Sequence, residues 1–271
     1  MTLAAPSRPL GLLLLFWLLG LILLAFIVLP LVALAARQTG ADLARVAGML
    51  EVRQAILLSV EGSLLATLLA GVVGVPLAYL LARAEFPGKA VVSAVVDIPL
   101  SVPHPVAGIA LLMVFGRQGV LGEAADAAFG LKFWGTIAGV VVAMLFVAAP
   151  FTVNAARLGF EAVDPRLEKV ARTLGMGPWR TFLTVTLPLS WRSIMTGFTL
   201  TFARAISEFG AVVVLVYYPM TAPVEVYELF IRFGLDDAGA AALLLLAVTL
   251  ILFIALRALA YGRGAPAGSG R

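Results

Sequence analysis

Glu161-Ala-Val-Asp-Pro-Arg-Leu-Glu-Lys-Val-Ala-Arg-Thr-Leu-Gly175, running on into Met176-Gly-Pro-Trp-Arg-Thr-Phe-Leu-Thr-Val-Thr-Leu-Pro188, is the longest charged segment of the chain. Its residues predict a short capped helix followed by a second one. Asp164 has the short oxygen-bearing side chain that caps a helix N-terminus, and Pro165 suits the first helical position, where no donor is needed. Leu167, Val170, Ala171 and Leu174 recur at helical spacing and form one apolar stripe, with Arg166, Glu168, Lys169 and Arg172 as a polar rim. Gly175 supplies a stop, and Gly177-Pro178 repeats the break. A helix this short is marginal in water by itself, so something must hold it. A partner protein is the natural candidate.

Around this segment the chain is nearly all apolar. Of its 271 residues 62% are hydrophobic and 13% charged, with a mean hydropathy of +1.07. Soluble domains carry about a quarter charged residues, so this composition belongs to an integral membrane protein. The absence of cysteine excludes disulfides, thiol catalysis and cysteine-ligated metals, and the single histidine, His104, excludes a histidine-rich metal site. The net charge of +4 is spread over loops and does not point to nucleic acid.

A bilayer span needs about 20 predominantly apolar residues. Six segments qualify, near 10–35, 56–82, 90–116, 133–156, 191–217 and 238–256. The expected fold is therefore all-α, a polytopic membrane protein with about six transmembrane helices. Residues 9–36 hold 28 successive uncharged positions, too long for the ~7–15-residue core of a cleaved signal, so the first segment is expected to be retained. Of the 19 Lys and Arg residues, Arg204 lies within a span and six (Arg37, Arg45, Arg53, Arg117, Lys132, Arg232) fall on one side of the membrane. The other twelve fall on the opposite side, together with both termini and residues 157–192, which places those regions in the cytoplasm. The organisation expected is a cytoplasmic N-terminus at 1–9, a transmembrane domain over 10–258 with its cytoplasmic loop at 157–190, and a flexible cytoplasmic tail at 259–271.

The loop then resembles a known family. Permease subunits of ATP-binding-cassette importers carry a cytoplasmic pattern of Glu-Ala-Ala, three residues, Gly, nine residues, Ile, any residue, Leu-Pro. Lys169-Val170-Ala171, Gly175 and Val185-Thr186-Leu187-Pro188 keep that spacing, departing at Lys169 and Val170 and placing Glu168 one position early. Two further stretches narrow the likeness to the molybdate and tungstate branch, with sulfate permeases sharing part of it. One is Ile98-Pro-Leu-Ser-Val-Pro-His104-Pro; the other is Phe202-Ala-Arg-Ala-Ile-Ser-Glu-Phe-Gly-Ala211, followed by Tyr217-Tyr-Pro219.

The resemblance implies a type I importer permease fold in the cytoplasmic (inner) membrane. It also implies a coupling helix at 164–175 that docks on an ATPase, and a chain that is not itself an enzyme. It implies as partners a second copy of the chain, two ATPase subunits carrying the ATP and Mg, a periplasmic or extracellular oxyanion-binding protein, and membrane lipid. Neither a catalytic residue nor a metal ligand is expected in the chain.

Arg204 and Glu208 lie four residues apart inside the fifth segment. Each charge would cost about 2.5–3.5 kcal/mol in a span, so the two are expected to face the interior and pair. The residues leave two roles open for Arg204, an internal ion pair that fixes packing or a source of positive potential for an oxyanion route, and the first is favoured. Asp97 is expected to serve packing or pairing. Pro99, Pro103 and Pro105 should break the third segment and expose backbone that only protein or a water-filled cavity can satisfy. His104 reads as a hydrogen-bonded structural residue, and Ser101, Thr201 and Ser207 as hydroxyls along the same route. Gly71, Gly74, Gly135 and Gly139 are expected to permit close helix contacts.

The leading expectation is thus a permease for a tetrahedral oxyanion, molybdate or tungstate, with sulfate or thiosulfate as the alternative. A proton-coupled secondary transporter and an intramembrane enzyme are the readings from other classes. The second lacks a cluster of nucleophile, base or metal ligands, and the phosphate-binding Gly-rich motif is missing from the sequence.

Overall fold

The computed structural model describes residues 10–261, so the expected cytoplasmic N-terminus at 1–9 and most of the flexible tail, 262–271, lie outside the described residues. Those described form helices without any strand. In chain order they are α1 (Leu10–Arg37), α2 (Gly40–Gly48), α3 (Leu50–Leu69), α4 (Val75–Arg83), α5 (Lys89–Ser101), α6 (His104–Phe115), α7 (Val120–Phe129) and α8 (Ile137–Ala162). After these come α9 (Pro165–Thr173), α10 (Pro178–Thr181), α11 (Leu187–Ile206), α12 (Gly210–Leu215), α13 (Ala222–Phe233) and α14 (Leu235–Tyr261). Two π turns, Ala70–Gly74 and Phe182–Thr186, join α3 to α4 and α10 to α11.

Among the described residues, four helical stretches are long and apolar enough to cross a membrane: Gly11–Arg37, Leu50–Arg83, Ile137–Ala162 and Leu235–Ala258. The α5–α6 pair, bent by 115° at its break, makes a fifth if it is one span. The fifth expected segment, 191–217, differs from a plain span for a physical reason. Its α11 carries Arg192, Arg204 and buried Ser190, Thr199 and Thr201, because it is an interior helix packed on α8 rather than on lipid. It also ends at Ile206, and the chain bends through Ser207–Phe209 before α12. The second segment begins earlier than expected, at Leu50, which places Glu61 eleven residues into the helix.

The core forms where α8 meets α3, α4 and α11. Val140, Ala143, Met144, Val147 and Ala148 of α8 pack on Ala66 of α3, Ala205 of α11, and Ala211 and Val212 of α12. Small residues set the spacing: a Cβ on Gly197 would sit 3.0 Å from that of Ala155, and one on Gly159 would sit 2.5 Å from that of Ser193. The close-contact expectation holds for Gly71, where a Cβ would reach within 2.6 Å of the Phe198 ring, for Gly74 against Val153, and for Gly139, where a Cβ would lie 2.9 Å from the Val216 side chain that follows α12. It fails at Gly135, where a Cβ would meet only the Tyr218 carbonyl oxygen at an ordinary 3.7 Å and where the glycine is needed instead for its left-handed backbone, φ +67°.

Candidate coupling and translocation sites

The loop that opens the sequence argument folds as a capped helix. The Asp164 carboxylate accepts a 2.8 Å hydrogen bond from the Arg166 amide, Pro165 takes the first turn, and Gly175 ends the helix at φ +87°. Leu167, Val170 and Leu174 stand exposed on α9, at 47%, 56% and 77%. The fourth residue of the expected stripe does not join them: Ala171 is buried against the rest of the chain.

Glu168 likewise leaves the polar rim assigned to it. It is 4% exposed and turns inward, accepting 2.9 Å hydrogen bonds from Arg83 Nε at the end of α4 and from the Thr186 hydroxyl. Helical geometry explains both corrections. A nine-residue helix lying on a protein buries one side whatever its polarity, and a carboxylate survives there only because Arg83 and Thr186 satisfy it. Arg166, Lys169 and Arg172 remain on exposed positions.

The second site lies at the two breaks in the membrane helices. Pro103 ends the α5 region, and α6 begins at His104 with Pro105 in its first turn. Across from it, α11 stops at Ile206 and Glu208 starts the next helix, its Oε1 accepting from the Ala211 amide at 2.8 Å. Arg204 Nη2 donates to Glu208 Oε2 at 2.6 Å, and the His104 ring lies 2.8 Å from Arg204 Nη2 and 3.3 Å from Glu208. Gly210 permits this approach, since a Cβ there would come within 2.7 Å of the His104 Cβ.

Glu208 is 1% exposed in its side chain, whereas Arg204 and His104 are 23% and 43% exposed. The cluster is thus a buried carboxylate with a cation and an imidazole on its open side. The expected Arg204–Glu208 pair forms, and His104 is hydrogen-bonded as expected, although its link to Arg204 was not legible in sequence.

The hydroxyls divide. Ser207 is exposed beside Arg204 and bonds back to the Arg204 carbonyl at 3.1 Å. Ser101 is exposed at the end of α5. Thr201 is a correction: it is fully buried, sharing a 2.7 Å hydrogen bond with Thr152 and donating to the Ala148 carbonyl, so it fastens α11 to α8 rather than facing a route. Asp97 pairs with Asn154 at 2.7 Å, the pairing role expected of it. Sequence reasoning missed Arg83, Thr186 and Asn154 as partners. Arg83 counted only as a loop charge and Thr186 only as the variable position before Leu187-Pro188.

Long apolar helices, charges set at broken spans and an exposed capped loop helix make this a polytopic membrane protein. Residues 74–263 match the family described as binding-protein-dependent transport system inner membrane component, and the chain belongs to it, as an importer permease of the ATP-binding-cassette class. Among its relatives, the molybdate/tungstate transport system permease protein WtpB of Thermococcus kodakarensis is 42% identical over 246 residues, covering 90% of this chain and 94% of that one. The molybdenum transport system permease protein ModB of Escherichia coli K12 is 41% identical over 203 residues, covering 73% and 88%. A bacterial transporter for import of the acidic polysaccharide alginate shares the fold, with a TM-score of 0.73 at 16% identity, over 96% of this chain and 100% of that one.

Proposed function

We propose that the chain is the translocating subunit of an ATP-driven importer for a tetrahedral oxyanion, molybdate or tungstate. The observation that carries the substrate reading is the identity, above 40%, to molybdate and tungstate permeases along nearly the whole chain. α9 supplies the link to ATP: its exposed Leu167, Val170 and Leu174 enter a groove on an ATPase subunit, which holds the nucleotide and Mg. The chain itself is not catalytic.

Two copies enclose the pathway. α5, in which every residue is at least partly exposed, and α1, apolar and exposed all round, provide surface for the second copy and for lipid. Both termini and the 157–190 loop lie in the cytoplasm, as the Lys and Arg distribution favours. A binding protein on the opposite side delivers the anion, and the ATPase shifts the permease between two access states because it contacts them differently. Arg204 and His104 face the route, with Ser207 and Ser101 near it; Glu208 holds Arg204 in place and lowers the net charge there.

Competition tests the substrate reading. In cells producing the permease with its ATPase and binding protein, uptake of labelled molybdate should fall with excess tungstate and persist in excess sulfate. Equal displacement by sulfate would move the assignment to the sulfate branch.

A further inference from the structure

Glu168 is the one buried carboxylate of the coupling loop, and two membrane elements converge on it, with a third reached through Arg83. Its Oε1 accepts from Arg83, the last residue of α4, and from Thr186, the last residue of the π turn that leads into α11, each at 2.9 Å. Arg83 also donates at 2.8 Å to the carbonyl of Val163, the residue capping α8. The covalent link that leaves α9 towards α11 is soft by comparison. On its C-terminal side Gly175, Met176 and Gly177 separate it from α10, with Gly175 in a left-handed conformation.

A push on the exposed face of α9 would therefore swing the helix on its glycine hinge unless something stiffer ties it to the bundle. The buried, charge-assisted contacts of Glu168 are that tie. They lead to α4, which is joined to α3 through the Ala70–Gly74 π turn, and to α11, whose far end holds Arg204. Such π turns are frequent at functional sites and mark places where a helix adjusts without breaking.

We propose that Glu168 is a positioning residue that converts movement of the docked coupling helix into movement of α4 and α11, so that its loss uncouples ATP hydrolysis from transport while leaving docking intact. This rests on the permease reading for its transport consequence, but not for its mechanical one. The outward residues Leu167, Val170 and Leu174 are separate from the latch, which is why the two properties can part.

The test uses Glu168→Gln, with Thr186→Val as a second variant in case the first fails to fold. The chain contains no cysteine, so Lys169→Cys and Arg192→Cys place a pair of spin labels on exposed positions of α9 and α11. In the permease alone, the distance distribution between them should be single and narrow, and should lose that narrow peak in either variant. In the reconstituted complex, ATPase subunits should still copurify and hydrolyse ATP, with anion carried per ATP reduced about tenfold, the size of an ordinary coupling between sites. An unchanged distance distribution overturns the proposal whatever transport does. So does a broadened distribution with normal coupling, or loss of ATPase copurification. If the unsubstituted complex itself shows no ATP-driven uptake, the permease reading fails, and the spin-label distances still decide the latch.

Discussion

Replacing Arg204 with methionine keeps the length of the side chain and removes its charge, and the consequence follows from what Glu208 is left with. The Glu208 carboxylate is 1% exposed and takes its shortest hydrogen bond, 2.6 Å, from Arg204. The Ala211 amide remains at 2.8 Å, and His104 stands 3.3 Å away. Removing one partner of a buried ion pair costs about 3–5 kcal/mol, because the other charge stays buried without compensation. A ring N–H of His104 turned to the bare carboxylate would return part of this, about 1.5–3 kcal/mol for a hydrogen bond to a charged group. The net loss expected for Arg204→Met is therefore about 2 kcal/mol, a fall of roughly 4–8 °C in the melting temperature of the purified protein.

The double variant Arg204→Met/Glu208→Gln has no unpaired charge, and its amide oxygen still accepts from Ala211. It should melt within about 1 kcal/mol of the unsubstituted protein, a recovery that the mutant cycle reads directly. Because the pair is read as structural first, the double variant should also keep both ATPase activity and uptake in liposomes. Two results would refute this reasoning. If Arg204→Met alone melts normally, the pair does not hold the breaks together. If the double variant hydrolyses ATP yet carries no anion, Arg204 acts chiefly through its potential on the pathway.

The outward and inward sides of α9 should respond differently to the same change. Val170→Asp, at a 56% exposed position, should fold normally and lose the ATPase on copurification, whereas Ala171→Asp should destabilise the loop itself; retention of the ATPase by Val170→Asp would count against docking through that face. Gly197→Val should overpack the α8–α11 contact, where a Cβ already meets Thr152 Cα at 3.1 Å, and lower stability by about 1–3 kcal/mol in a thermal melt; an unchanged melt would mean the contact is loose. Asp42 in α2 has its carboxyl held below the ordinary 3.8, first by the Thr39 hydroxyl and then by Arg45. A lowered carboxylate pKa stabilises the fold above that ordinary value and the contribution is lost as pH falls through the lower folded one. Protection factors of the α2 amides should thus fall in that acid window, and fall by less in Thr39→Ala; protection that stays constant through the window in the unsubstituted protein would contradict the cap.

Local chemistry made part of this molecule legible. Asp164, Pro165 and Gly175 each act within a turn of their own position, and so the ends of α9 could be read directly. The α5–α6 break followed from Pro103 and Pro105 for the same reason, and the Arg204–Glu208 pair from one helix spacing. The side of α9 that faces inward did not follow, because it depends on Arg83, far away in sequence, arriving beside Glu168. Nor did the burial of Thr201, which is set by Thr152 on α8. The fifth segment hides its break after Ile206, because Val212–Leu215 are as apolar as a span interior. Its break is imposed by Glu208 capping α12 and by His104 lying against Gly210, both contacts made across the fold.

In the proposed function ATP, through a separate subunit bound to α9, drives an oxyanion along this chain. Liposomes containing the permease, with and without its ATPase and supplied with the binding protein, give the most direct measurement. The account predicts accumulation of labelled molybdate or tungstate only when the ATPase and ATP are both present, unaffected by collapse of the proton gradient. Accumulation by the permease alone, abolished by a proton ionophore and indifferent to ATP, would contradict it.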